Sequence, residues 1–293
     1  MKIAITGANG LFGTGMMQVI RARHVVVPLT HAEVDITDAA QVKRVFSSVK
    51  PDVVIHTAAM PDPDKCQLHP GDAFRVNETG TANIVAAAQK SGFALAHIST
   101  DAVFDGAKTT PYVETDTPHP LSVYGETKLA AERAVEGLPR HWIFRVSVLF
   151  GPGKKLNFVN KGLRKIANGE DYVVAADQVG SATYTLDAAE MIQCVIESGR
   201  YGLYHLCNQG RCSRVELARE AAQIAGLDSS YVRGVPLHQM DRPGPRPKYA
   251  EMTMNALRQA GFALPRSWQE ALAEYIGRFW KEPPVKAGTS PRT

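Results

Sequence analysis

The amino-acid sequence predicts an α/β fold: a doubly wound parallel sheet with a smaller, interleaved C-terminal lobe. Three observations carry this. Short apolar runs alternate with helical patterns through the first two-thirds of the chain. Those runs are apolar almost throughout, as strands covered on both faces are. A glycine triplet stands at the first strand-to-helix turn.

In order, the first strand is "KIAIT" (2–6), and the glycines at Gly7, Gly10 and Gly13 lead into a helix near 11–22. The spacing is G-x-x-G-x-x-G. Glycines let the backbone turn tightly and approach a pyrophosphate at the helix N-terminus, where free N–H groups and the macrodipole favour anions. The turn therefore predicts dinucleotide binding on a Rossmann-like fold. "HVVVPL" (24–29) is the second strand, a helix follows near 38–49, and "DVVIHT" (52–57) is the third strand. A helix near 71–90 leads to "ALAHIS" (94–99), and a helix near 122–136 to "HWIFRVS" (141–147). Strand–helix alternation of this kind implies right-handed crossovers in one sheet.

"LFGPGKK" (149–155) then breaks the rhythm, and further helices are expected near 156–168, 187–198, 213–226 and 267–280. "RPGPRPKY" (242–249) holds too many prolines for a helix or a central strand and reads as a basic extended segment. The division expected is a dinucleotide-binding domain over 1–150 with a returning segment near 170–198. A substrate-binding domain covers 151–169 and 199–281, and a disordered tail covers 282–293.

With 293 residues, 44% hydrophobic and 21% charged, the chain can bury a large core without staples. The net charge of +4 comes with no Lys/Arg block, which speaks against a nucleic-acid partner. Cys66, Cys194, Cys207 and Cys212 show no C-x-x-C spacing and no histidine cluster, so neither a metal site nor a disulfide framework is expected. The N-terminus reads as a strand rather than a signal peptide, and no apolar run approaches membrane-spanning length. A cytoplasmic protein without a membrane partner is expected.

The chemistry is concentrated in residues 99–128. Tyr124 and Lys128 stand at i and i+4, on one face of a helix, and this is the one Y-x-x-x-K spacing among nine tyrosines. Pro118 and Pro120 discourage helix upstream, and Ser122 is a suitable N-cap. A phenol is a poor acid-base group at neutral pH, and a nearby ammonium is expected to lower its pKa for proton transfer to a carbonyl oxygen. Ser99 and Thr100 close the "ALAHIS" strand at its carboxyl end, where ligands bind in open α/β sheets. For the cofactor, Thr30 and His31 stand where Asp or Glu would favour NADH, so NADPH is expected, with NADH use open. Arg21 and Arg23 precede that strand as candidate partners of a 2′-phosphate, with solvated helix-end charges as the other reading; Glu33 and Asp35 come slightly late for a ribose.

"TGANGLFG", "ISTDAVFDG", "YGETK" and "FRVSVLFG" resemble the extended short-chain dehydrogenase/reductases, and within them the dTDP-4-dehydrorhamnose reductase family. "DITD" (35–38), "DQVGSATYTLDAAE" (177–190), "GLYHLCNQGRCSRVELA" (202–218) and "RPGPRPKYAEM" (242–252) extend the resemblance to about residue 280. The resemblance implies reduction of the C4 keto group of a dTDP-linked 4-keto-6-deoxysugar by NAD(P)H. Tyr124 would be the proton donor, Lys128 would tune it and hold the nicotinamide ribose, and Thr100 would be the third catalytic group. Gly7, Asn9, Gly10, Leu11, Phe12 and Gly13 would hold the cofactor pyrophosphate, Asp35 and Ile36 would border the adenine, and Ala58, Ala59 and Ser99 would line the cofactor cleft. Asp101, Val103, Phe104, Arg145 and Gln178 would build the substrate side, with Arg246 and Lys248 meeting the diphosphate.

The family pattern commonly carries an aromatic where this chain has Ala102, and Trp where it has Val148, which implies less stacking against the sugar. Two other readings of the same fold stay open from the residues: a sugar-nucleotide epimerase or dehydratase, and a non-catalytic subunit like the regulatory subunit of methionine adenosyltransferase. The expected partner is the nucleotide-sugar substrate, with a homodimer open.

Overall fold

A computed structural model describes residues 1–153 and 156–281. The tail expected over 282–293 lies outside the described residues. The five early strands form as β1 (Lys2–Thr6), β2 (Val25–Leu29), β3 (Val53–His56), β4 (Ala94–Thr100) and β5 (His141–Val146). With the strand Gly202–His205 they make one six-stranded sheet, in the order 202–205, β5, β4, β3, β1, β2, and every pairing is parallel.

Alternate residues of each strand serve opposite layers. Ile3, Ile5, Ile55 and Ile98 pack with Phe12, Met16 and Ile20 of helix Leu11–Ile20 and with Ile192 and Val195 of helix Thr185–Ser198. Ala4, Val54 and Leu95 face the other way, onto Val42 and Phe46 of helix Ala39–Val49 and Ile84 of helix Gly80–Ser91. Covering both faces explains why β3 and β4 are buried at every position. From β1 the chain turns outward to β2 and then crosses back to β3 on the other side. That reversal opens a crevice at the carboxyl ends of the strands.

Three differences from the sequence reading have physical causes. The strand Gly202–His205, expected in the substrate lobe, joins the sheet beside β5. Helix Thr185–Ser198 packs on helix Leu11–Ile20 as a crossover, and a right-handed crossover delivers the next strand to the same sheet. Residues 172–175, expected within the returning segment, pair instead with Val232–Val235 in the smaller lobe. The helix expected near 71–90 is divided: a π-helical turn, Arg75–Thr79, separates Pro70–Phe74 from Gly80–Ser91. The buried Asn77 in that turn accepts from Met60 N (2.8 Å) and donates to Thr127 Oγ1 (3.0 Å).

The smaller lobe holds helices Phe158–Ala167, Arg214–Ile224 and Trp268–Phe279 around Phe150, Leu163, Tyr184, Leu217 and Tyr275. Ser213 and Ser267 open the last two of these helices with capping boxes closed by Glu216 and Glu270. Among the described residues no helix is long and apolar enough to cross a membrane.

Ile55, at the centre of the sheet, is fully buried. Its replacement by alanine is expected to cost about 2–5 kcal/mol. Urea unfolding of Ile55→Ala against the parent chain measures it.

Candidate active site

The crevice is a cleft of about 880 Å³ between the carboxyl edge of the sheet and the smaller lobe. Its sheet side begins at the glycine turn. Gly7 has a positive φ of 67°, and a Cβ there would lie 2.7 Å from Ala58 N. A Cβ on Gly13 would lie 2.2 Å from Gly7 O, so the turn and the first helical residues close on each other. Gly10 N donates to Gly7 O (2.8 Å), and Gly10 N-caps the helix with no side-chain cap. The first helical N–H groups thus face the cleft for an anion. Gly7, Asn9, Gly10, Leu11, Phe12 and Gly13 all line it, as do Asp35, Ile36, Ala58 and Ala59. Asp35 accepts from Thr37 N (2.9 Å) and Thr37 Oγ1 (2.8 Å), bonds that hold its carboxyl below the ordinary carboxylate range.

At the middle of the cleft, β4 ends in Ser99 and Thr100, and helix Val123–Glu136 begins beside it. Ser122 caps that helix, accepting from Gly125 N (3.2 Å), which sets Tyr124 and Lys128 in its first two turns. Thr100, Tyr124 and Lys128 line the cleft together. Lys128 is 3% exposed and donates to Ile98 O (2.7 Å) and to His97 Nε2 (3.0 Å). Burial draws its pKa down to about 8, against the pull of Glu132.

The phenol departs from the sequence expectation. Burial raises the Tyr124 pKa, its Thr100 hydrogen bond pulls the other way, and the charges of Asp101 and Cys66 add to the rise. Lys128 has turned two of its donors to β4 and is not what sets the phenol here. Tyr124 therefore holds its proton firmly, which is the form a proton donor needs.

Several residues expected on the substrate side lie elsewhere. Arg145 pairs with Ser99 in the β4–β5 register and is 3% exposed. Its Nη2 donates to Glu132 Oε2 (2.7 Å) and its Nε to Oε1 (3.0 Å), while the Ser99 hydroxyl donates to the same Oε1. Arg145 is thus a structural partner of the helix and not a cleft residue, because a buried carboxylate must be paired. Ser99 borders the cleft, but its hydroxyl is spent on Glu132. Val103 and Phe104 are fully buried with Tyr112, Leu129 and Met252, and the Phe104 and Tyr112 rings stack at 4.1 Å. The 3-10 turn Asp101–Val103 aims them into the core. Lys248 is 64% exposed outside the cleft, 3.1 Å from Asp177. Arg21 and Arg23 also lie away from it, and Arg23 pairs with Glu197 (3.1 Å).

Asp101, Gln178 and Arg246 do line the cleft. The Asp101 carboxyl accepts from Thr100 Oγ1 (3.1 Å) and from Ser147 Oγ, and burial raises its pKa. Arg246 is held by both oxygens of Asp64. Three further arginines, Arg214, Arg242 and Arg75, escaped the sequence reading. Arg214 is half-buried at the first position of its helix, with its guanidinium 5.9 Å from the Phe158 ring centroid and a buried Nη1 that has no hydrogen-bond partner among the described residues. A cation in a helix's first turn opposes the macrodipole, and that was the available signal. Arg242 lies in the proline-rich segment next to the arginine that was singled out. Arg75, on the π-helical turn, lines the cleft near Asp35 and His31.

The model of the family described as "RmlD substrate binding domain" matches residues 1–280. The chain is 36% identical over 280 residues to a dTDP-4-dehydrorhamnose reductase of Mycolicibacterium smegmatis, covering 94% of this chain and 85% of the relative. It is 32% identical over 273 residues to a dTDP-4-keto-6-deoxy-D-glucose reductase of Streptomyces niveus, covering 92% and 94%. A crystal structure of dTDP-4-dehydrorhamnose reductase from Bacillus anthracis in complex with NADP superposes with a TM-score of 0.91 at 34% identity, covering 94% of this chain and 98% of that one.

Arg145→Met leaves Glu132 as a buried, unpaired charge, so a stability loss of about 3–5 kcal/mol is expected. The Michaelis constant for a nucleotide sugar should stay nearly unchanged in the folded fraction. Denaturant titration and steady-state kinetics on the same preparation separate the two effects.

Proposed function

The chain belongs to the dTDP-4-dehydrorhamnose reductase family, and from that membership and its cleft we propose that it reduces the C4 keto group of a dTDP-linked 4-keto-6-deoxysugar with NADPH. The observation that carries this reading is the meeting of Thr100, Tyr124 and Lys128 at the carboxyl end of β4, between a glycine cradle and an arginine-lined wall.

The cradle fits a dinucleotide. Gly7 and Gly13 have no room for a Cβ, and the helix that follows presents uncapped N–H groups to a pyrophosphate. At the adenosine end the Glu33 carboxylate is already taken by Thr30, accepting from Thr30 N (2.7 Å) and Oγ1 (2.5 Å). It is not free for a ribose diol. Arg75 lines the cleft there, beside His31, and offers positive charge to a 2′-phosphate. NADPH, when bound, supplies the hydride. Lys128 keeps one N–H for the cleft after its bonds to Ile98 and His97.

Tyr124 delivers its phenolic proton to the sugar oxygen as the carbonyl carbon is reduced, and the Thr100 hydroxyl, turning from Asp101, orients that oxygen from the strand end. A ligand that excludes water from around the half-buried phenol strengthens this hydrogen bond. Arg214 and Arg242 receive the substrate diphosphate, with Arg246 braced behind them by Asp64. The positions without the family's aromatics, Ala102 and Val148, both line the cleft, and Phe158 contributes a ring from the opposite lobe.

Tyr124→Phe is expected to slow turnover of dTDP-4-dehydrorhamnose by about 100- to 10,000-fold, because the ring packs but the proton is gone. NADPH binding, followed by its fluorescence, should barely change. Near-normal turnover sinks the assignment of the proton donor. Arg75→Ala should weaken NADPH by about 10-fold and leave NADH unaffected, as the loss of one charged hydrogen bond to phosphate does. Equal losses for both cofactors in paired titrations contradict the 2′-phosphate role.

A further inference from the structure

His97 stands in the middle of β4, fully buried beneath the cleft, and the reductase reading gives it no task. An ammonium has donors and no acceptors, so the imidazole nitrogen facing it, His97 Nε2, must be the acceptor of the 3.0 Å bond. The imidazole is then neutral with its proton on Nδ1, which has no partner among the described residues. Leaving a buried donor unmade is costly, and an aliphatic side chain would avoid that cost. The compensation visible in the structure is the bond to Lys128.

We propose that His97 is a positioning residue for Lys128: its Nε2 and Ile98 O bind two of the three ammonium hydrogens, so that the third is presented to the cleft. This rests on the reductase reading for what Lys128 does once positioned. The imidazole is a fixed acceptor and does not pass protons on. The neighbouring ring of His56 is 5.4 Å away between centroids. Both His56 nitrogens are taken by hydroxyls, Nδ1 by Thr6 (2.7 Å) and Nε2 by Thr81 (3.1 Å). Protons for the reaction therefore come and go through the cleft.

The titratable groups around Lys128 are His97 on β4, His56 on β3, Glu132 one turn along its own helix and paired with Arg145 of β5, and Tyr124 one turn back, near Asp101 and Cys66. Burial keeps His97 and His56 neutral. Removing the imidazole acceptor withdraws support from the charged form of Lys128, so its proton is lost at lower pH.

The test compares His97→Leu, which has no acceptor, with His97→Gln, whose amide oxygen reaches the place of Nε2. In His97→Leu, kcat should fall by about 10-fold or more, the loss of a hydrogen bond to a charged group. The Michaelis constant for the sugar nucleotide should stay within about 2-fold. The alkaline limb of kcat should move down by about one pH unit. His97→Gln should recover most of kcat and return the limb. A limb that does not move in His97→Leu, or a glutamine variant no better than leucine, overturns the proposal. A second measurement needs no substrate. In unliganded protein with 15N-labelled histidine, the signal missing from His97→Gln should report a neutral, Nδ1-protonated ring at pH 7 that changes in Lys128→Met. An Nε2-protonated ring overturns the proposal. A wild-type chain that turns over no dTDP-sugar defeats the reductase reading, while the NMR result still decides the His97–Lys128 contact.

Discussion

The carboxylate of Glu132 lies under the carboxyl edge of the sheet, and much of the site hangs on how it is satisfied. It is 1% exposed, bound by two guanidinium nitrogens of Arg145 and by the Ser99 hydroxyl. A carboxylate this deep is tolerated only with its partners in place. Those partners come from β5 and β4, and the carboxylate comes from the helix that carries Tyr124 and Lys128. The bond therefore fixes the rotation of the helix against the sheet. On the same helix, Gly125 lets the backbone of Ala102 come so near that a Cβ would lie 2.2 Å from its carbonyl oxygen. Asn77 ties Thr127 to the loop after β3. Three buried contacts to three separate segments leave the helix little freedom to turn or slide.

With the helix fixed, the electrostatics of the cleft divide cleanly. On the sheet side the polar groups are mostly neutral or satisfied: a protonated phenol, a threonine, and an ammonium already spending two bonds on β4. On the side of the smaller lobe stand Arg214, Arg242 and Arg246. Among the described residues, Asp64 is the one carboxylate that forms an ion pair with this group, through Arg246. A low-dielectric crevice with arginines on one wall favours a substrate that carries its charge at one end and its reacting carbon at the other. This is the shape of a nucleotide diphosphate joined to a sugar.

The sequence reading reached the parts of the site that local rules govern. Ser122 caps the helix as its side chain and the upstream prolines foretell, and the i,i+4 spacing then forces Tyr124 and Lys128 onto one face. The glycine turn follows from backbone sterics at the end of β1. Where the reading failed, the cause was direction. Val103 and Phe104 follow the strand end closely, and a 3-10 turn sends both inward. Lys248 stands two residues from Arg246, a spacing that regular extended chain would place on one face; the chain bends at Lys248 instead, so Arg246 turns to Asp64 at the cleft while Lys248 meets Asp177 in solvent.

By itself, then, the sequence determined the alternating strands and helices, the glycine turn and the tyrosine–lysine pair, because each depends on residues within a few positions of one another. Tertiary structure alone decided which charges face the ligand. Arg145, buried, and Arg214, half-buried, are both arginines on regular elements, and one meets Glu132 while the other meets the cleft. That difference is set by what packs opposite each guanidinium, from segments 13 residues away in one case and more than a hundred in the other, where Asp101 is the charge facing Arg214. The cost of burying a charge is paid by distant partners, and no local pattern names them.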